Sequence, residues 1–129
     1  MPLSVAQRIE DEIGILELSG PLTLGPSLVE LRNNARQLID GQRLRGVIIQ
    51  VGAVTQTDSS GLGELTVVYT LATKKGYPLR LVNVRPELRK ILELTRLDVL
   101  LPSASDLSSA KMEIRKATTG NARTAWSPG

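Results

Sequence analysis

Residues 57–63 read Thr57-Asp58-Ser59-Ser60-Gly61-Leu62-Gly63, and they separate two segments of opposite character. Before them stands the run LRGVIIQVGAV (44–54), and after them the run LGELTVVYTLATKK (62–75). The first run is apolar enough for a strand buried on both faces, which is typical of a parallel strand at the centre of a sheet. In the second run apolar residues recur at helical spacing, namely at Leu62, Leu65, Val68, Tyr69 and Ala72. TDSSGLG is therefore predicted to be a strand-to-helix junction in the middle of an α/β domain.

The segments before the junction predict a hairpin and a helix. LSVAQRI (3–9) and IGILELSG (13–20) are strand-like and are joined by the turn-like residues EDE. Pro26 is suited to the first turn of a helix, and Ser27 with Glu30 has the spacing of a capping box. Four apolar residues follow on one side of this helix, at Leu28, Leu31, Ala35 and Leu38.

The segments after the junction predict a further strand and two helices. Gly76 suits the left-handed position that follows a helix, and YPLRLVNV (77–84) is strand-like. Pro86 begins a third helix, LDVLLP (97–102) is a candidate edge strand, and a last helix runs through 105–117. The predicted core includes Ile48, Ile49, Leu65, Leu81 and Ile91.

These elements predict one α/β domain with a mixed sheet of four to five strands and helices mainly on one face. A chain of 129 residues fits a single domain. The domain is predicted to span residues 1–117. Residues 118–129, which include Trp126, are rich in small polar residues, Gly and Pro, and they are predicted to form a disordered tail.

The composition excludes several classes of function. The chain has no Cys and no His, so disulfides, thiolate nucleophiles, imidazole bases and the commonest zinc ligands are absent. We therefore expect no enzymatic activity, no metal and no cofactor. A net charge of +3 with three aromatic residues is a weak signal for nucleic acid, and no nucleic-acid partner is expected. No apolar run approaches the roughly 20 residues that span a bilayer, so no membrane insertion and a cytoplasmic location are predicted.

The chemistry of the junction admits two readings. A helix that begins at Asp58 or Ser59 has unpaired N–H groups in its first turn, and side-chain oxygens there act as caps. Capping, with two glycines for close backbone approach, would explain the string without any further function. The same N–H groups also favour an anion, so a phosphate on a serine hydroxyl would be tolerated. The string lacks the Lys of a phosphate-binding loop and the pattern of a nucleophile elbow.

Asp58-Ser59-Ser60-Gly61-Leu62-Gly63 at the end of a buried strand resembles the signature of the STAS domain, found in anti-sigma-factor antagonists and in sulfate transporters. The resemblance extends over about residues 5–115. ILELSGPLT (15–23) resembles the family's early strand and Gly-x-Leu turn, and residues 77–101 resemble its late strand, Pro-initiated helix and closing Leu-rich segment.

The resemblance implies a bacterial anti-sigma-factor antagonist of the cytoplasm, a phosphoprotein that regulates transcription. Its implied partners are an anti-sigma factor with serine kinase activity and a serine phosphatase. Ser59 corresponds to the phosphoacceptor. The implied partner-binding residues are Thr23, Asp58, Ser59, Ser60, Gly61 and Leu62.

The sequence departs from the family pattern at turns. Thr23 stands where many antagonists have Asp, Gln56 and Thr57 replace apolar residues, and Thr95-Arg96-Leu97 places Arg in a turn that often carries Gly. Alternatives therefore stay open: a STAS subunit of a transporter or signalling assembly that does not switch, and a structural interaction domain. Six basic residues form a further cluster, interpreted as a solvated face or as a surface that steers an acidic partner: Lys74, Lys75, Arg80, Arg85, Arg89 and Lys90.

Overall fold

The computed structural model describes the backbone of residues 2–126 and the side chains of residues 2–117. Strands and helices alternate after an initial hairpin, as the apolar patterns predict. Their bounds are β1 (Ser4–Glu10), β2 (Ile13–Leu22), α1 (Pro26–Gly41), β3 (Gly46–Thr57), α2 (Ser59–Lys74), β4 (Leu79–Val82), α3 (Pro86–Leu94), β5 (Ser103–Ala104) and α4 (Leu107–Trp126).

The five strands form one mixed sheet in the order β1-β2-β3-β4-β5. β1 runs antiparallel to β2, and each later neighbour pair is parallel. The hairpin turns through Asp11 and Glu12, both with positive φ, which matches the right-handed twist of the flanking strands. The predicted position of the 44–54 run at the sheet centre is confirmed, because β3 lies between β2 and β4.

The helices α1, α2 and α3 cover one face of the sheet, and α4 covers part of the other. Successive residues of a strand point to opposite faces. Leu16 and Ile49 accordingly belong to the large core under the first three helices, whereas Ile15 and Ile48 pack with Ile114 of α4. The predicted mixed sheet with helices mainly on one face is confirmed.

Three details of the sequence prediction are wrong. Ser27 does not cap α1, because the helix begins at Pro26 with Gly25 as its N-cap and has no side-chain capping bond. Residues 97–100 are a turn, and the edge strand is Ser103–Ala104, since Leu101 is drawn into the core instead. Ile91 is only partly buried, because it lies at the rim of α3 while Leu88 and Leu92 face the sheet.

The predicted boundary at residue 117 stays a prediction. The bounds of α4 extend to Trp126, but the side chains of residues 118–126 and all of residues 127–129 lie outside the described residues. In the described part of the chain, no helix combines the length and the apolar character needed to cross a membrane.

Candidate functional site

The junction lies at the carboxyl edge of the sheet, beside the end of β2. In the parallel pair of β2 and β3, Leu22 is opposite Thr57, so the chain leaves both strands at the same edge. The loop after β2 therefore meets the start of α2, although the two are more than 30 residues apart in sequence. Thr23 therefore lies next to Asp58. The resemblance to the STAS family implied that these two residues belong to one partner-binding surface.

Asp58 holds these two segments together. Its Oδ1 accepts a hydrogen bond from the N–H of Gly61 at 2.9 Å, which caps α2. Its Oδ2 accepts a hydrogen bond from the N–H of Leu24 at 3.0 Å, in the loop between β2 and α1. The backbone N–H of Asp58 also donates to the carbonyl of Leu22 at 3.3 Å. Thr23 is thus fixed on both sides by bonds to a single residue.

These bonds favour the ionised carboxylate. The N–H of Leu24, and next the N–H of Gly61, hold the pKa of Asp58 below its ordinary value. Asp58 therefore carries its charge at neutral pH with its oxygens turned to N–H groups of its own chain. Because its two oxygens accept N–H groups from two separate segments, Asp58 acts as a structural clamp between them.

Gly61 allows the start of α2 to approach the end of β2 closely. A Cβ at this position would lie 1.9 Å from the carbonyl oxygen of Leu22, which no side chain tolerates. Gly63 is different, because a Cβ there would meet no atom within 4 Å. The interpretation of both glycines as sites of close backbone approach is therefore correct for Gly61 and wrong for Gly63 within this chain.

The two serines differ in exposure. Ser59 is the first residue of α2 and is exposed, whereas Ser60 is partly buried. Leu62 is buried in the core under the helices, and Gly61 is buried against β2. Of the predicted partner-binding residues, Gly61 and Leu62 therefore lie beneath the turn, Thr23 and Ser60 are partly buried, and Asp58 and Ser59 are exposed.

An ion pair joins α1 to α2 one turn below the serines. Glu64 of α2 is buried, and Arg32 of α1 bonds both of its carboxylate oxygens. The bond from Nε of Arg32 to Oε2 is 3.2 Å long. This pair raises the pKa of the Arg32 guanidinium, chiefly through the hydrogen bond to Glu64. Sequence reasoning missed the pair, because each residue by itself looks like an ordinary surface charge.

The surroundings of the turn contain little space for a small molecule. The neighbouring cleft is lined by residues that include Gln56, Thr57 and Arg85, and it encloses about 30 Å³. Ligand pockets usually enclose about 300–1,000 Å³. Among the residues that the structure describes, no group of three or more Asp or Glu side chains is placed to hold a metal ion.

The basic cluster predicted from the sequence is spread over three elements. Lys74 is the last residue of α2 and Lys75 is its C-cap, Arg80 lies on β4, and the remaining three lie at α3. Arg80 pairs with Glu113 and Lys75 with Asp40. These pairs fit the interpretation of a solvated face.

The fold and the turn together define the class of the protein. It is a small mixed α/β domain in which the central strand β3 is followed by Asp58, the N-cap of α2, and by the exposed Ser59. The family profile of the STAS domain matches residues 4–110. The chain belongs to the STAS domain family.

Solved structures with this fold include anti-sigma factor antagonists. A putative anti-sigma factor antagonist from Thermotoga maritima is 20% identical, with a TM-score of 0.77 over 86% of this chain and 94% of that chain. An anti-sigma factor antagonist from Mycobacterium paratuberculosis is 21% identical, with a TM-score of 0.75 over 88% and 94%. The Bacillus cell fate determinant SpoIIAA in its phosphorylated form is 17% identical, with a TM-score of 0.66 over 84% and 98%.

Proposed function

We propose that this protein is an anti-sigma-factor antagonist, a binding module without enzymatic activity that is switched by phosphorylation of Ser59. Unphosphorylated, it binds an anti-sigma factor with serine kinase activity and so releases the sigma factor. Phosphorylated, it dissociates, and a serine phosphatase restores it.

The observation that carries the proposal is the exposure of Ser59 at the first position of α2, directly after the aspartate that caps the helix. A kinase reaches this hydroxyl without unfolding the turn. The positive end of the helix dipole favours the phosphate that results. The phosphorylated form of SpoIIAA, which shares the fold, supports the proposal by similarity.

Phosphorylation is expected to act on the complex and to leave the fold unchanged. A phosphate adds about 1.5 to 2 negative charges, and these charges lose their water in an interface. A penalty of about 2.8 kcal/mol weakens binding about a hundredfold. Thr23 adds no charge beside the phosphate, whereas an Asp there would.

The test is incubation with each kinase-type anti-sigma factor of the source organism and ATP, followed by mass spectrometry of the peptide that contains residues 57–63. We expect phosphate on Ser59, no phosphate in Ser59→Ala, and continued phosphorylation of Ser60→Ala. Calorimetry should show tight binding by Ser59→Ala and weaker binding by Ser59→Asp.

The opposite results would identify a different function. Phosphate on Ser60, or equal affinity before and after complete modification of Ser59, contradicts the switch. An affinity for the partner that does not change on phosphorylation would instead favour a STAS subunit of a transporter or of a signalling assembly.

A further inference from the structure

An exposed apolar side chain stands directly beside the clamp at Asp58. Leu24 is 78% exposed, in the loop between β2 and α1. Val29, in the first turns of α1, is 60% exposed. Burial of an apolar side chain away from water is favourable, so these two exposed side chains can contribute to the binding of a partner.

Leu24 is exposed and is nevertheless held in place. Its own N–H is the donor to Oδ2 of Asp58, at 3.0 Å. The carbonyl of Leu22, two residues before Leu24, accepts the N–H of Asp58. The backbone is therefore ordered before any partner arrives, and a partner that buries Leu24 loses little free energy in ordering the loop.

Two carboxylates near Leu24 are bonded within the chain, those of Asp58 and Glu64. Both oxygens of Asp58 accept N–H groups, and Glu64 is bonded by Arg32. Thr23 contributes a hydroxyl and no charge. The surface beside Ser59 thus offers a partner an exposed apolar side chain next to a carboxylate whose oxygens are already bonded, which favours an apolar contact at Leu24. Glu30, beside Val29, is an exposed charge at the border of this surface.

The start of α2 also leaves room for a close approach. Gly63 lies one turn after Ser59, on the exposed side of the helix. Apart from its chain neighbours and the backbone of α2, no atom of the described residues lies within 4 Å of the position of a Cβ. A partner can therefore come against the backbone of α2 while it covers Leu24.

From this arrangement we infer that Leu24, assisted by Val29, is the apolar anchor of the interface that contains Ser59, and that the partner receives it in an apolar pocket. The inference rests on the proposed function, since the partner that binds Leu24 is the same kinase-type anti-sigma factor that phosphorylates Ser59. Affinity comes largely from Leu24, and its regulation comes from the charge on Ser59. Interfaces commonly divide in this way, with a few buried side chains supplying most of the energy.

The test compares Leu24→Ser with Leu94→Ser by calorimetry against the kinase-type anti-sigma factor that binds the unmodified protein. Leu94 is a matched control, because it is 75% exposed but lies at the far end of α3. We expect Leu24→Ser to weaken binding at least about tenfold, Leu24→Met to stay within about threefold, and Leu94→Ser to stay within about twofold. Unchanged urea midpoints would establish that each variant is folded.

The outcomes separate this inference from the proposed function. If the kinase binds and phosphorylates the protein but Leu24→Ser binds equally well, only the anchor is rejected. An equal loss in Leu24→Ser and Leu94→Ser also rejects it, since it would indicate unspecific apolar attraction. If no kinase-type anti-sigma factor binds or modifies the protein, the proposed function fails and the anchor with it.

Discussion

At the scale of single residues, the turn depends on one carboxylate and one missing side chain. Asp58 connects the end of β2 to the start of α2 through N–H groups that belong to both. Gly61 permits the contact, because a Cβ at this position would lie 1.9 Å from the carbonyl oxygen of Leu22. Asp58 and Gly61 both stabilise the fold, and the turn that they form places Ser59 at the surface.

Gly61→Ala should destabilise the protein by about 1–3 kcal/mol, because the added methyl group overlaps the Leu22 carbonyl and forces the backbone apart. Gly63→Ala is the matched control in the same helix. It should stabilise by about 0.5–1 kcal/mol, since alanine is the better helix former and has open space there. Urea unfolding measures both, and equal midpoints for the two variants would contradict the described contact.

Asp58→Asn should lower stability at neutral pH, and the difference from the parent should shrink in acid. The pKa of Asp58 is lower in the folded than in the unfolded protein, so its contribution is complete above the unfolded value of about 4. That contribution is lost as pH falls through the folded pKa. Urea midpoints of both proteins between neutral pH and about pH 3 give the comparison.

Asp106→Asn is a control variant that removes a helix-capping aspartate far from Ser59 in the sequence. Asp106 accepts the N–H of Ser109 at 2.8 Å at the start of α4, and this bond likewise lowers its pKa. The difference in stability between the parent and Asp106→Asn should likewise shrink in acid, whereas phosphorylation of Ser59 should be unaffected by this substitution. A difference between parent and Asp58→Asn that stays constant down to pH 3 would count against the clamp.

At the scale of elements, α1 and α2 are held together by an ion pair that lies partly inside the protein. Glu64 is buried, while the side chain of Arg32 is 43% exposed. Removal of the cation alone leaves a buried carboxylate without its partner, which costs more than the pair contributes. The pair therefore orients α1, and with it the loop that carries Thr23 and Leu24.

Arg32→Met should destabilise the protein more than the double variant Arg32→Met with Glu64→Leu does, because the second change removes the unpaired buried charge. A double-mutant cycle from urea unfolding measures the coupling. The pair of Arg8 and Glu17, both half-exposed, serves as the control and should give nearly additive effects. Additivity at Arg32 and Glu64 would show that the two helices pack without the ion pair.

At the scale of the whole molecule, the sheet has two cores of unequal size. The larger lies under α1, α2 and α3, and the smaller lies under α4, where Ile114 meets Ile13 and Ile48. Gly46 permits this second contact, because a Cβ there would stand 2.6 Å from Cγ2 of Ile114. The site at Ser59 sits on helix α2 of the first layer.

Ile114→Ala should cost about 2–5 kcal/mol, as large-to-small changes at buried positions do. Met112→Ala in the same helix is the control, since Met112 is exposed and its loss should change stability by no more than about 0.5 kcal/mol. Urea unfolding compares them. A midpoint for Ile114→Ala that equals the control would mean that α4 does not unfold together with the sheet.

The sequence by itself determined the order of the elements, the central strand, the apolar faces of α1 and α2, and the capped turn with Ser59 at the start of a helix. These features depend on periodicity and on capping, which act between residues a few positions apart. These features could therefore be predicted from the sequence. The cap predicted at Ser27 shows the limit, because the motif was present and the chain began the helix at Pro26.

Only the tertiary structure decided which distant residues meet. It placed the N–H of Leu24 on Asp58, joined Arg32 to Glu64, put α4 on the second face, and made Ser103–Ala104 the edge strand in place of residues 97–102. Each of these contacts joins separate elements, and its formation depends on how the sheet and helices pack as a whole. The spacing of residues along one segment does not specify which other segment it packs against. The same residues would face water if the sheet and helices were arranged differently.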